Sequence, residues 1–170
     1  MPMMVAKALL MSYLAQQRAL LQRERFVDRY RHDWLVWEPG NWVAARPGMH
    51  STLVPRTAAT SPAKGDALCF ELAPPPPGKP LIVGRAEDCA IVLNDATVSR
   101  EHLFLTLSDD GWWATVASSS QGARLNGKRV APGARVQLLN DVLLGLGEAV
   151  LTFCTHQGFA RRVEQEAARM

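Results

Sequence analysis

Three short stretches of the sequence carry side chains that could bind an anion. Arg85 ends the apolar run LIVGR, Ser99 begins the run SREH, and Ser120 lies within the run SSSQG. The guanidinium of Arg85 carries a permanent charge and a fork of N–H donors, which suits the oxygens of a phosphate. The hydroxyls of Ser99 and Ser120 can donate hydrogen bonds to the same anion. Because no neighbouring residue pairs a nucleophile with a base, these stretches predict binding and not catalysis.

The three stretches lie between short runs of β type. From Ala67 onward these runs include LCFEL, LIVGR, AIVL, HLFLTL, WWATVA, RVQLL and AVLTFCT, and they are separated by Gly, Asn and Asp. No helical pattern lies between them, which favours an antiparallel β-sandwich over a sheet with crossover helices. Loops at one end of a sandwich meet in space, so Arg85, Ser99 and Ser120 are expected to converge.

The N-terminal part has a helical pattern. Residues 3–31 are rich in Ala, Leu, Gln and Arg, and Leu10, Leu14 and Leu21 recur near helical spacing. We expect one long amphipathic helix, which either packs on the body of the same protein or serves docking or self-association. Its apolar run ALLMSYLA is too short for a membrane span and lacks a cleavage site, so an export signal is excluded.

A tryptophan-rich stretch, DWLVWEPGNWVAARPG, follows the predicted helix. Trp34, Trp37 and Trp42 flank a turn signal at 39–41, which predicts a short hairpin or a packed aromatic loop. These tryptophans either belong to the core or form a contact surface for a partner.

Composition divides the chain into four parts. Residues 46–66 are small, polar and punctuated by proline, which is typical of a connector that does not fold alone. We therefore expect a helix and tryptophan segment over 1–45, a connector over 46–66, a sandwich over 67–156 and a helical tail over 157–170.

Charge and cysteine content limit the class of protein. The net charge is +5 over residues 1–64, −3 over 65–156 and +1 over 157–170, so the strand-rich part is acidic. A nucleic-acid groove there would need a Lys and Arg excess with interleaved aromatic residues, which is not visible, and we expect no nucleic-acid partner. The three cysteines have neither an even count nor a repeated spacing, which favours a reduced protein with a cytoplasmic address.

Taken in order, the motifs resemble the forkhead-associated (FHA) domain family. The pieces are GR at 84–85, IVLND at 91–95, SREH at 99–102, SSSQG at 118–122, LNGKRV at 125–130, and a closing ND followed by LLGLG. The resemblance covers residues 67–156. It implies a mainly β fold, an FHA-like antiparallel β-sandwich that recognises phosphothreonine in partner proteins, here with an N-terminal amphipathic helix and a short C-terminal helix.

The resemblance also implies roles for individual residues. Arg85 and Ser99 match the phosphate ligands, and Ser120 matches a position that adds a third phosphate contact. Arg100 lies where a side chain commonly touches the bound peptide, and Gln121 lies where an asparagine usually bonds the peptide backbone.

Four further residues are expected to support this site. Gly84 belongs to the GR motif, and His102 is implied to be architectural, hydrogen-bonding within the loop and holding the serine in place. Asn126 and Gly127 suit a tight turn with positive φ, so their role is structural as well.

The sequence departs from the family pattern at two places. Gln121 keeps the amide but lengthens the side chain, which either preserves the peptide contact with shifted geometry or weakens it, and Ala123 removes a hydroxyl that normally stiffens the loop. The stretch before LIVGR is short for the first strands of the family. The missing strand is either truncated or supplied by the tryptophan segment upstream.

Two functions follow from these observations. The first is a phosphothreonine-dependent adaptor in a Ser/Thr kinase pathway, whose partner is a phosphorylated kinase or kinase substrate. The alternative is an assembly module with a vestigial phosphate site, which binds partners through the N-terminal helix and the tryptophan segment. No enzyme motif, metal-ligand set or cofactor motif is present in the sequence, so we expect no enzyme, metal or cofactor.

The connector suggests one further hypothesis. Some FHA regulators carry a phosphorylatable threonine outside the domain that binds to the domain's own site. Thr57 and Thr60 lie in the expected connector. Their phosphorylation would close the protein on itself or link two copies, whereas the simpler interpretation is an ordinary solvated linker.

Overall fold

The structure, a computed structural model, describes residues 5–40 and 65–170. Its helices are α1 (Met11–Leu20), α2 (Arg23–Arg29) and α3 (His156–Ala168). Its strands are β1 (Ala8–Leu10), β2 (Asp33–Trp37), β3 (Leu68–Leu72), β4 (Leu81–Gly84), β5 (Ile91–Val92), β6 (Leu103–Ser108), β7 (Gly111–Val116), β8 (Ala123–Leu125), β9 (Lys128–Val130), β10 (Arg135–Gln137), β11 (Leu143–Leu146) and β12 (Ala149–Cys154).

The strands form the two sheets of a sandwich, which confirms the predicted fold. The seven-stranded sheet has the order β1-β3-β2-β12-β11-β8-β9, and the five-stranded sheet has the order β10-β7-β6-β4-β5. The pairs are antiparallel except β4 with β5, which run parallel. Alternating side chains such as Leu35 and Phe70 from one sheet and Leu105 and Trp112 from the other form the main core.

The N-terminal segment differs from the single long helix that its spacing predicts. A short strand, β1, comes first and pairs with β3, and the helical part is divided between α1 and α2. Leu21 and Gln22 separate the two helices with extended backbone angles. Neither residue is a helix breaker, so the division follows from packing: half-buried Leu21 joins the cluster beneath the helices.

The tryptophan-rich stretch supplies a central strand. β2 lies between β3 and β12, with Val36 opposite both Cys69 and Thr152. Of the two alternatives for the missing strand, the structure shows the second: the tryptophan-rich stretch supplies it as β2. Trp34 and Trp37 are buried and belong to the core, so these two do not form a contact surface. Trp42, the second half of the expected hairpin, and positions 46–64 of the expected connector, including Thr57 and Thr60, lie outside the described residues.

The three helices cover the outer face of the seven-stranded sheet. A second core cluster joins Leu14 of α1, Phe26 of α2 and Phe159 of α3 to Trp34 of β2. The rings of Trp34 and Phe159 stack with centroids 4.5 Å apart. The expected C-terminal helix is confirmed as α3, and its first turn is capped by the Thr155 side chain.

An ion pair fixes α3 to the end of β2. Both terminal nitrogens of Arg162 donate to the carboxylate of Glu38, at 2.5 and 2.6 Å, and Thr152 donates to the same carboxylate. The Glu38 carboxylate raises the pKa of Arg162 above its usual value. A bidentate contact of this kind orients the helix as well as attracting it.

All three cysteines are buried free thiols. Burial raises the pKa of each, to about 11 for Cys154 and about 12 for Cys89. Because the thiolate is the reactive form, these side chains act as small core residues.

Candidate functional site

Three loops converge at one end of the sandwich. The β4–β5 loop (85–90) bonds to the β5–β6 loop (93–102) through two backbone N–H groups, Arg85 to the Ser99 carbonyl and Ala86 to the Arg100 carbonyl, both at 3.0 Å. The β7–β8 loop (117–122) joins them where the Ala117 N–H donates to the His102 carbonyl at 2.9 Å. The structure therefore brings together the stretches that the sequence analysis selected.

Gly84 allows the first two loops to approach this closely. A Cβ atom at Gly84 would lie 2.2 Å from the carbonyl oxygen of Arg100 and 2.8 Å from its carbon. Both atoms belong to backbone that is already hydrogen-bonded to Ala86, so they cannot easily move away. Any side chain at this position would clash with the Arg100 backbone, so glycine is required here for steric reasons.

Hydrogen bonds to the neighbouring loop hold Arg85 in place and leave its terminal N–H groups available as donors. It is half-buried, and its Nε donates to the Val98 carbonyl at 3.0 Å. Its two terminal nitrogens and the hydroxyl of Ser99 make no hydrogen bond within the described residues. The backbone bond from Arg85 to Ser99 keeps the main chains of the two residues adjacent. This arrangement can bind a phosphate without first breaking a protein contact.

His102 braces the serine from inside. The side chain is fully buried, its Nδ1 accepts the backbone N–H of Ser99 at 3.0 Å, and its Nε2 lies 2.7 Å from the Gly122 carbonyl. A neutral ring with the proton on Nε2 satisfies both bonds. Burial lowers the pKa of His102, and the bond to Gly122 opposes that effect in part. The ring joins two loops and is not positioned as an exposed base.

Ser120 is engaged within its own loop. Its hydroxyl donates to the Ala117 carbonyl at 2.7 Å and accepts the Gly122 N–H at 3.1 Å. A hydroxyl has one proton, so Ser120 could donate to a phosphate only by giving up the bond to Ala117. Gln121 is exposed and Arg100 projects from the neighbouring loop, and neither side chain makes a hydrogen bond within the described residues.

Asn126 and Gly127 lie away from these loops. They form the turn after β8, with φ of 51° and 84°, at the end of the strand opposite to Gly122. The Asn126 side-chain oxygen accepts the Leu143 N–H at 3.0 Å. The structure therefore places this pair in a strand connection, where the side chain of Asn126 is bonded to β11 and not to the three loops.

A set of hydrogen bonds around Thr97, which the sequence analysis did not single out, holds the β5–β6 loop. Buried Asp95 accepts both the N–H and the hydroxyl of Thr97, and the Thr97 oxygen accepts the Glu148 N–H at 2.7 Å. A Cβ atom at Gly147 would lie 2.2 Å from the Thr97 carbonyl oxygen. The spacing of Asp95 and Thr97 is that of a side-chain turn, a local signal that was available in the sequence.

This sandwich, with its GR and SREH loops, is an FHA-type domain. More particularly, the family model described as "Inner membrane component of T3SS, cytoplasmic domain" matches residues 73–157, half of the chain, and the chain belongs to that family.

Among curated proteins, the chain is similar to the FHA domain-containing protein FhaB of Mycobacterium tuberculosis. The two are 30% identical over 67 residues, which is 39% of this chain and 43% of FhaB. The chain thus matches less than half the length of that relative.

Solved structures with similar folds include two FHA domains. That of a Chlamydia trachomatis protein has a TM-score of 0.49 and 19% identity, covering 72% of this chain and 96% of that one. That of an Arabidopsis thaliana protein has a TM-score of 0.46 and 25% identity, covering 73% of this chain and 86% of that one.

Within residues 5–40 and 65–170 of the present chain, no helix has the length and apolar character needed to cross a membrane.

Proposed function

We propose that the protein binds a phosphothreonine-containing segment of a partner protein at the loop end of the sandwich, as an adaptor in a cytoplasmic Ser/Thr kinase pathway. The observation that carries the proposal is the geometry of Arg85 and Ser99. Arg85 is anchored through Nε and its backbone N–H, while its terminal nitrogens and the Ser99 hydroxyl have no partner within the described residues. Membership of an FHA-type family supports the proposal.

The chemistry of the ligand follows from these donors. A phosphate on threonine carries close to two negative charges at neutral pH and has three acceptor oxygens. One guanidinium edge and one hydroxyl can each give charge-assisted hydrogen bonds, which are worth roughly 1.5 to 3 kcal/mol apiece. An unphosphorylated hydroxyl offers nothing comparable, so binding should depend on the phosphate.

A second candidate is an assembly module with a vestigial phosphate site. The observation that favours it is Ser120, whose hydroxyl proton is committed to Ala117 in this conformation. The family description, which names a component of the T3SS, agrees with an assembly role. Since Trp34 and Trp37 are buried, contacts in this case would fall to other parts of the N-terminal segment.

The test compares phosphorylated and unphosphorylated versions of each peptide in an array probed with the full chain. The full chain is needed because β2 lies between β3 and β12 in one sheet. Binding of the phosphorylated peptides alone supports the adaptor. Binding that ignores phosphorylation, or an array without any bound peptide, contradicts it and favours the assembly module.

A further inference from the structure

A cavity of about 250 Å³ opens beside the proposed phosphate ligands. Its lining comes from all three loops of the site: Ala86, Asp88, Arg100, Glu101 and Ser119. Ala86 directly follows Arg85 in the chain, and Arg100 directly follows Ser99. A peptide whose phosphate lies against Arg85 and Ser99 therefore places neighbouring side chains at the mouth of this cavity.

The cavity carries more negative than positive charge. Asp88 and Glu101 are exposed carboxylates, and neither forms a hydrogen bond or ion pair within the described residues. Arg100 is the only cation in the lining, so two carboxylates stand against one guanidinium. The cavity therefore offers a ligand more negative charge than positive charge.

The buried thiol of Cys89 lies close to the same three charged residues. Cys89 lies in the same β4–β5 loop and donates to the Arg100 carbonyl at 3.2 Å. Burial raises the pKa of Cys89, and the carboxylates of Asp88 and then Glu101 raise it further, to about 12, whereas Arg100 lowers it by less than either carboxylate raises it. At this position the two carboxylates outweigh the guanidinium.

The surrounding loop end is acidic as well. Exposed Glu148 lies on the β11–β12 turn, which is hydrogen-bonded to Thr97 of the β5–β6 loop, and it adds a third carboxylate to Asp88 and Glu101. Acidic residues beside the phosphothreonine would be repelled by these three carboxylates. Positive residues beside the phosphothreonine would remove that repulsion.

We propose that this cavity takes a lysine or arginine side chain of the partner next to its phosphothreonine, with Asp88 and Glu101 as the residues that determine this specificity. The inference rests on the proposed function and narrows its ligand to a basic phosphothreonine segment. An ammonium or guanidinium group can form charge-assisted hydrogen bonds with these carboxylates, which an apolar or acidic residue cannot make.

The test uses phosphothreonine peptides that carry lysine, alanine or glutamate at one flanking position at a time. Their affinity for the full chain is measured by fluorescence anisotropy at low ionic strength. At the preferred position we expect the lysine peptide to bind about fivefold more tightly than the alanine peptide, and the glutamate peptide more weakly still. The double variant Asp88→Asn, Glu101→Gln should bind the lysine and alanine peptides equally. Asp109→Asn, an exposed change on the β6–β7 turn, should keep the lysine preference.

Each outcome decides between the two proposals. Equal affinity for the three peptides at all positions, or a lysine preference that survives in the double variant, overturns this inference. The proposed function then stands as long as the phosphorylated alanine peptide outbinds its unphosphorylated form. If phosphorylation makes no difference for any peptide, the proposed function fails and the inference fails with it.

Discussion

His102 is the residue on which the shape of the site depends most. Its buried ring links the Ser99 N–H to the Gly122 carbonyl, so one side chain sets the distance between two loops. It can do so only while neutral, because Nδ1 must accept a hydrogen bond. A histidine beside a serine suggests catalysis in the sequence, yet its contacts make it a structural element of a binding site.

Acidification is therefore expected to lower the folding stability of the protein, because His102 becomes protonated. Burial lowers the pKa of this ring in the folded state, so the folded protein resists protonation. The stabilisation is present above the ordinary histidine pKa of about 6.5 and is lost as the pH falls through the lower folded value. The ring resonances of His102, followed by NMR against pH, should titrate below 6.5. A midpoint at or above that value contradicts the account.

The residues of the site divide into those that sequence reasoning can find and those that it cannot. Arg85 and Ser99 stand out because their types suit an anion and their spacing suits loops of a sandwich. The occupation of Ser120 by Ala117 is a matter of loop conformation, which residue type alone does not determine. Asn126 forms the tight turn with positive φ that its residue type predicts, but this turn follows β8, at the end of that strand opposite to Gly122.

At the scale of elements, the first helix, α1, is capped by a residue from a distant segment. Leu10, the residue before α1, has no side-chain cap. Instead, the carboxylate of Asp66 accepts the backbone N–H of Ser12 at 3.1 Å and its hydroxyl at 2.6 Å. A negative group at this helix end satisfies free N–H groups and complements the helix dipole.

Replacement of this cap should destabilise the protein measurably. Asp66→Ala removes an acceptor for Ser12 and for the Ala67 N–H, and we expect the free energy of unfolding to fall by about 1 kcal/mol. Urea denaturation followed by tryptophan fluorescence measures the change. Asp109→Ala serves as the matched control and should leave the midpoint in place. An Asp66→Ala midpoint equal to that of the control argues against the capping role.

Element boundaries show where the sequence stops being informative. The strands from β3 onward follow from alternating apolar runs and turn residues. The break between α1 and α2 could not be predicted, because neither Leu21 nor Gln22 disfavours helix and only the packing of Leu21 explains it. The strand β1 lay inside the same helical pattern, and its pairing with β3 is a long-range contact.

At the scale of the whole molecule, the N-terminal segment completes the sandwich. Pairing with β3 on one side and β12 on the other makes β2 a central strand, and its four buried residues include Trp34 and Trp37. Without β2, two strand edges and a large apolar surface would be exposed to water. The strand therefore belongs to the folded unit although it lies far from β3 in the sequence.

We expect a fragment of residues 65–156 to lose cooperative folding. This fragment omits β1, β2 and nearly all of α3, including Phe159, which stacks on Trp34. Circular dichroism during heating should show no sharp transition for the fragment and one clear transition for the full chain. A fragment that melts cooperatively near the midpoint of the full chain would show that the sandwich is independent of the N-terminal segment.

The most direct measurement for the central claim is the affinity of the Arg85→Ala variant for a phosphothreonine peptide that the full chain binds. We expect a loss of at least about tenfold, because a charge-assisted pair to the phosphate disappears while the fold remains. Arg25→Ala, which removes an exposed arginine on α2, should bind as the parent protein does. Unchanged affinity in Arg85→Ala, with its thermal midpoint retained, would contradict the claim that this loop end reads phosphate.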